Sequence, residues 1–321
     1  MKSIARLSAV LLFAAASLAQ AQAWPNRPIK YIVNFAPGGT TDILARMIGP
    51  KLAEALGQPV VVENKPGQAG SVGAAELARA APDGYTIGSG TISSHAINVS
   101  LYSKLPYDPL KDFTPITMLA TLPNMLVIHP SIPANNVQEL IAFLKANPNK
   151  HSFGSAGNGT SQHMSGELFK SIAGVQMQHI PYKGSGPMIP DLLGGTLSMS
   201  FENITTAYPP AKQGKLKALA VTSSKRSFLA PEVPAMSEAG LAGYDISSWQ
   251  ALFAPAGIPK PVQDRLYAEV VKALKAPDVV KRLQDLGLDA GGMPPEELAA
   301  LIRSDIPKLG KIVRDSGATV D

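Results

Sequence analysis

Ile29-Lys30-Tyr31-Ile32-Val33-Asn34-Phe35-Ala36-Pro37-Gly38-Gly39-Thr40-Thr41-Asp42 joins a β-branched apolar run to a Gly-Gly turn and then to a helical pattern. Over residues 41–56, Leu44, Ile48, Leu52 and Leu56 recur four apart with Met47 beside them, which makes one apolar face to lay on a sheet. Strand, tight turn and helix in this order open a βαβ unit. The alternation continues outward, with strand patterns over residues 60–63 and 85–88 and a helical one over residues 71–80 between them.

A second set follows after an apolar run over residues 116–129 that is longer than a usual strand. Helical patterns at residues 137–146, 161–173, 188–193 and 205–213 alternate with strand patterns at 152–154, 176–180, 197–201 and 216–222. Beyond a loop carrying Pro231 and Pro234, an apolar strand over residues 246–253 returns, and three helices open near Pro261, Pro277 and Pro294. Roughly 300 residues exceed what one hydrophobic core usually organises. The pattern therefore predicts an α/β chain of two lobes. Lobe I is built from residues 24–124 and 246–321, and lobe II from residues 125–245. The two long strands cross between the lobes as a hinge that closes on a ligand.

At the N-terminus, Lys2 and Arg6 flank an apolar run over residues 7–18 that ends in Ala21-Gln22-Ala23. That is the layout of a secretory signal peptide cleaved after Ala23, too short to anchor in a bilayer, and it predicts a periplasmic protein. The chain has no cysteine, which excludes disulfides, thiol nucleophiles and thiolate metal sites. Its net charge of +5 falls to +3 once Lys2 and Arg6 are removed, and the basic residues are scattered among acidic ones. No stripe follows a phosphate backbone, so no nucleic-acid partner is expected, whereas a mild positive balance suits anionic solutes.

The turn over residues 35–42 places Gly38 and Gly39 at a helix start, where backbone N–H groups can hold an anion; the same residues also suit a plain tight turn. Residues 154–163, Gly-Ser-Ala-Gly-Asn-Gly-Thr-Ser-Gln-His, repeat the design in the second set. There Thr160 or Ser161 either caps the helix or turns its hydroxyl to a ligand. Ser93, Ser94 and His95, then Tyr182-Lys183-Gly184, then Phe201-Glu202-Asn203, each follow a strand end, where open α/β sheets place ligand crevices. Neither a G-x-S-x-G elbow nor a G-x-G-x-x-G fingerprint occurs, and the five histidines show no metal-ligand spacing, so neither cofactor nor metal is expected. A secreted hydrolase or isomerase using Asp42 or His163 as base is the alternative to a non-catalytic binder.

Several segments together resemble the extracytoplasmic solute-binding receptors of tripartite tricarboxylate transporters, the Bug family: Trp24-Pro25-Asn26-Arg27-Pro28-Ile29, residues 35–42, Val62-Glu63-Asn64-Lys65-Pro66-Gly67, Pro82-Asp83-Gly84-Tyr85, Ile180-Pro181-Tyr182-Lys183-Gly184 and residues 249–259. The resemblance implies a type II periplasmic-binding fold that captures a small carboxylate and delivers it to a two-component membrane permease; a monomer is expected. It also implies a ligand site made of Gly38, Gly39, Thr40 and Asp42 on one lobe and Ser155, Asn158, Thr160 and Ser161 on the other. Tyr182 and Asn203 would line the far end, with Ser93 and His95 at the side. Two positions depart from the family pattern: Glu202 stands where Asp is commoner, and Ile258 replaces the Thr usual before Pro259.

Overall fold

The first apolar run becomes strand β1 (Ile29–Val33), and the four-residue spacing after the Gly-Gly turn becomes helix α1 (Thr40–Leu56). This computed structural model describes residues 24–318 and residue 320; the signal-peptide reading of residues 1–23 lies outside the described residues. Leu44, Ile48 and Leu52 are buried against Tyr31 and Val33, as the spacing requires. β2 (Val60–Asn64), α2 (Ser71–Ala78) and β3 (Thr86–Thr91) complete the first unit, with β2 and β3 parallel to β1 on either side. A single π-helical turn, Ser93–Ile97, and the short α3 (Asn98–Leu101) follow.

β4 (Phe113–Ile128) has 16 residues, about 50 Å of extended chain, and it serves both halves of the sheet. Its first part pairs antiparallel with β9 (Ser247–Pro255) as far as Pro123↔Ser247. From Asn124 onward it pairs with β7 (Met199–Asn203) and then β8 (Lys217–Val221). α4 (Val137–Ala146), β5 (Ser152–Ser155), α5 (Ser161–Ala173), β6 (Gln178–Pro181), α6 (Ser185–Leu193) and α7 (Ile204–Lys212) build the second half, where β5 runs parallel to β6 and β7. α8 (Lys260–Leu274), α9 (Pro277–Asp285), the two-residue β10 (Asp289–Ala290) and α10 (Pro295–Ser316) close the chain. The continuous strand order is β2-β1-β3-β9-β4-β7-β5-β6, so the architecture is a two-lobed α/β binding fold.

Thr222 stitches the place where the pairing changes. Its hydroxyl donates to the Ile246 carbonyl at 2.6 Å and accepts from the Asn124 N–H at 2.9 Å. The return strand thus begins one residue later than the sequence pattern suggests, because the Ile246 N–H is taken by Thr222 O. Helix α6 begins three residues earlier than its apolar pattern. Gly186 and Pro187 look like loop residues, but proline is tolerated in a first helical turn, where its missing N–H has no intrahelical partner to lose.

Candidate functional site

A small cavity of ≈ 20 Å³ lies between the two halves of the sheet, at the ends of the strands that lead into helices. Four helix starts reach its wall: Gly39 and Thr40 of α1 from one side, and Ser161 and Gln162 of α5, Ser185 of α6 and Asn203 before α7 from the other. Three of those helices, α1, α6 and α7, have no side-chain cap, so their first-turn N–H groups are not satisfied by a capping side chain. Among the described residues no lysine, arginine or histidine lines the cavity. Positive potential therefore comes from aligned backbone dipoles, an arrangement that holds an anion without a side-chain cation.

The first turn is held from behind. Asp42, in the first turn of α1, accepts from the Gly38 N–H at 3.1 Å, from Arg46 Nε at 3.0 Å and from Asn64 Nδ2 at 2.9 Å. Burial alone would raise its pKa, but these hydrogen bonds keep it below the ordinary carboxylate value. Its charge is neutralised behind the turn. Gly38 has a φ of +88°, which lets the chain double back.

The second loop is built alike. Thr160 caps α5, accepting from the His163 N–H at 3.3 Å while its hydroxyl donates to the Gly157 carbonyl at 2.7 Å. Ser155 Oγ pairs with His179 Nε2 at 2.6 Å, and the His179 ring stacks on His163 with centroids 4.0 Å apart. Burial drives both imidazoles toward the neutral form, His163 down to about 4 and His179 down to about 2. Gly159 has a φ of +87°, and a Cβ there would sit 2.3 Å from Asn98 Oδ1 on the opposite side of the cleft, so only glycine permits that approach.

The halves touch across the cleft, and the cleft is closed. The Ala36 N–H donates to the Lys183 carbonyl at 3.1 Å, Tyr102 Oη donates to the Asn158 carbonyl at 3.1 Å, and Thr40 Oγ1 donates to Asn203 Oδ1 at 3.3 Å.

Of the residues singled out from sequence, Gly39, Thr40, Ser93, Ser161 and Asn203 line this cavity. The others do not. Gly38, Asp42, Ser155 and Thr160 shape the two turns from behind, and Asn158 meets Tyr102 through its carbonyl. Tyr182 turns away, its hydroxyl donating to Asp191, and burial with that partner pushes its pKa up to about 12. His95 is turned into the core by the π-helical turn and stacks on Phe253 at 4.2 Å; burial lowers its pKa to about 3. His163 is equally unsuited to act as a base, because its Nδ1 accepts the Gly159 N–H at 3.1 Å.

Sequence reasoning missed Gln162, Ser185, Ser248 and Gln250, which complete the wall with Thr41, Thr91, Phe35 and Ala156. A signal existed for some of them. Ser248 and Gln250 are polar residues two apart in a largely apolar strand, hence on one face. Ser185 follows a strand end by the same rule that selected Asn203.

Fold and cavity together define a solute-binding protein of the periplasmic type. The family described as tripartite tricarboxylate transporter family receptor matches residues 44–318. BugT of Bordetella pertussis is 36% identical over 299 residues, covering 93% of this chain and 92% of BugT. The adipate complex of R. palustris Rpa4515 superposes with a TM-score of 0.90 at 35% identity, covering 92% of this chain and 100% of that one. MatC (Rpa3494) from Rhodopseudomonas palustris with bound malate superposes with a TM-score of 0.86 at 35% identity, covering 90% and 100%. The chain belongs to the tripartite tricarboxylate transporter receptor family, whose members are receptors and not enzymes.

Proposed function

We propose that this protein captures a small organic carboxylate in the periplasm and presents it to a two-component membrane permease, with its signal peptide removed after Ala23. The observation that carries this reading is the cavity itself: helix N-termini converge on it from both halves, and no cationic side chain lines it. The complexes of two relatives with adipate and malate support the ligand class. The carboxylate docks on the Gly39–Thr41 backbone, the second lobe swings in, and N–H groups of the residue 156–162 segment replace the water it loses. Every lost hydration contact has to be replaced, since an unpaired buried charge is prohibitively unfavourable. The change of strand partner at Pro123 and Asn124 supports residues 24–124 and 246–321 as one moving body and residues 125–245 as the other.

Thermal-shift screening against a library of carboxylic acids, followed by mass spectrometry of the bound compound, tests this. The reading requires stabilisation by a subset of acids that are returned intact; conversion of the bound acid contradicts it.

A further inference from the structure

Glu202 is fully buried at the end of β7, immediately behind the cavity wall. Its Oε1 accepts three hydrogen bonds, from Ser185 Oγ at 2.7 Å, the Asn203 N–H at 2.8 Å and Thr206 Oγ1 at 2.8 Å. Its Oε2 has no hydrogen-bond partner, and among the described residues the group forms no ion pair. Burial without a counter-ion raises its pKa, so it leans toward the neutral acid, but Oε1, which receives the Asn203 N–H, is an acceptor in either form and draws the Ser185 and Thr206 hydroxyl protons toward it.

The consequence reaches the ligand. Ser185 lines the cavity but gives its proton to Glu202, so it can offer the ligand only lone pairs. Thr40 gives its proton to Asn203 Oδ1, and Asn203 gives an amide proton to Asn124 Oδ1 at 2.6 Å. Ser185 and Thr40 therefore present lone pairs to this part of the cavity, while donors come from the backbone of the two turns and from the side-chain amides of Gln162 and Gln250.

We infer that the wall formed by Ser185, Thr40 and Asn203 selects a carboxylate whose second polar group donates hydrogen bonds, a hydroxyl, amide or ammonium, over one bearing a second carboxylate, and that Glu202 sets this preference. The inference rests on the carboxylate-receptor reading above and narrows it. A second carboxylate would set its lone pairs against those of Ser185 and Thr40. A primary amide of the same shape would donate to them.

The test is isothermal titration of three size-matched pairs, each a diacid and its monoamide: malonate and malonamate, succinate and succinamate, glutarate and glutaramate. In the wild-type protein the best-bound pair should favour the monoamide by about tenfold, the effect of one mismatched buried hydrogen bond. In Glu202→Met, which removes the acceptor while keeping the length, and in Ser185→Ala, which removes the relayed lone pairs, that ratio should fall to about threefold or less. Tighter binding of the diacid by the wild type overturns the inference while leaving the receptor reading intact. An unchanged ratio in both folded variants removes Glu202 as the selector. If no member of the panel and no acid of the wider library binds the folded protein, the receptor reading falls and the inference with it.

Discussion

Thr40 Oγ1 donates to Asn203 Oδ1 across the cleft at 3.3 Å, so the first residue of α1 is tied to the residue that opens α7. Both groups are buried here, and opening of the lobes returns both to water. Direct contacts of this kind are individually weak because water replaces them on opening. The balance between open and closed forms is thus left to the ligand, which shifts it only as far as it favours one form over the other.

Gly39→Val tests the first turn. Gly39 has an ordinary extended backbone with φ of −86°, so a side chain introduces no backbone strain, but it would point at Ser185, whose Cβ would lie 3.7 Å from the new Cβ. Titration calorimetry should show at least about tenfold weaker carboxylate binding, while the thermal midpoint of the unliganded protein moves little.

Thr160→Val should do the reverse. Its hydroxyl caps α5 and ties the loop at Gly157, so its loss costs about 1 kcal/mol of stability, read as a lower urea midpoint with an unchanged slope. Binding should fall less than in Gly39→Val.

Gly186→Ala obstructs closure itself. A Cβ at this position would lie 2.1 Å from the Pro37 carbonyl oxygen, which cannot move aside without opening the cleft. Small-angle scattering should show that the radius of gyration of the variant no longer contracts when a ligand is added.

Stability should decline in acid because of His163 and His179. Both have folded pKa values far below the ordinary 6.5, about 4 and about 2, so below pH 6.5 the unfolded chain binds protons that the fold excludes. Their contribution is complete above 6.5 and is lost as pH falls toward the folded values, amounting to about 2 kcal/mol per histidine at pH 5. Urea unfolding at pH 7 and pH 5 should show this loss, and His179→Gln should reduce it.

The architecture was legible in the sequence where periodicity was strong. The four-residue spacing of Leu44, Ile48 and Leu52 and the long apolar run that becomes β4 each mark an element whose burial dictates its conformation. Gly39, Thr40, Ser161 and Asn203 were legible because strand ends that lead into helices face a common crevice. His95 was misleading for a definite reason: a π-helical turn rotates it onto Phe253, and nothing in local composition announces such a turn. Asp42 and Thr160 were recognised by type, but their roles depend on partners distant or behind the turn, Asn64 and the Gly157 carbonyl. Gln250 comes from a strand more than 200 residues from the first turn, and it accepts from Thr41 Oγ1 at 2.8 Å. Such a pairing is fixed by topology and not by neighbouring residues.

The account stands on a carboxylate held by backbone groups of two facing turns, and a crystal structure of the protein with a bound acid measures that directly. The carboxylate should lie between the N–H groups of residues 39–41 and those of residues 156–162, with no lysine or arginine side chain in contact. A ligand bound elsewhere, or a carboxylate paired with a cationic side chain, would contradict it.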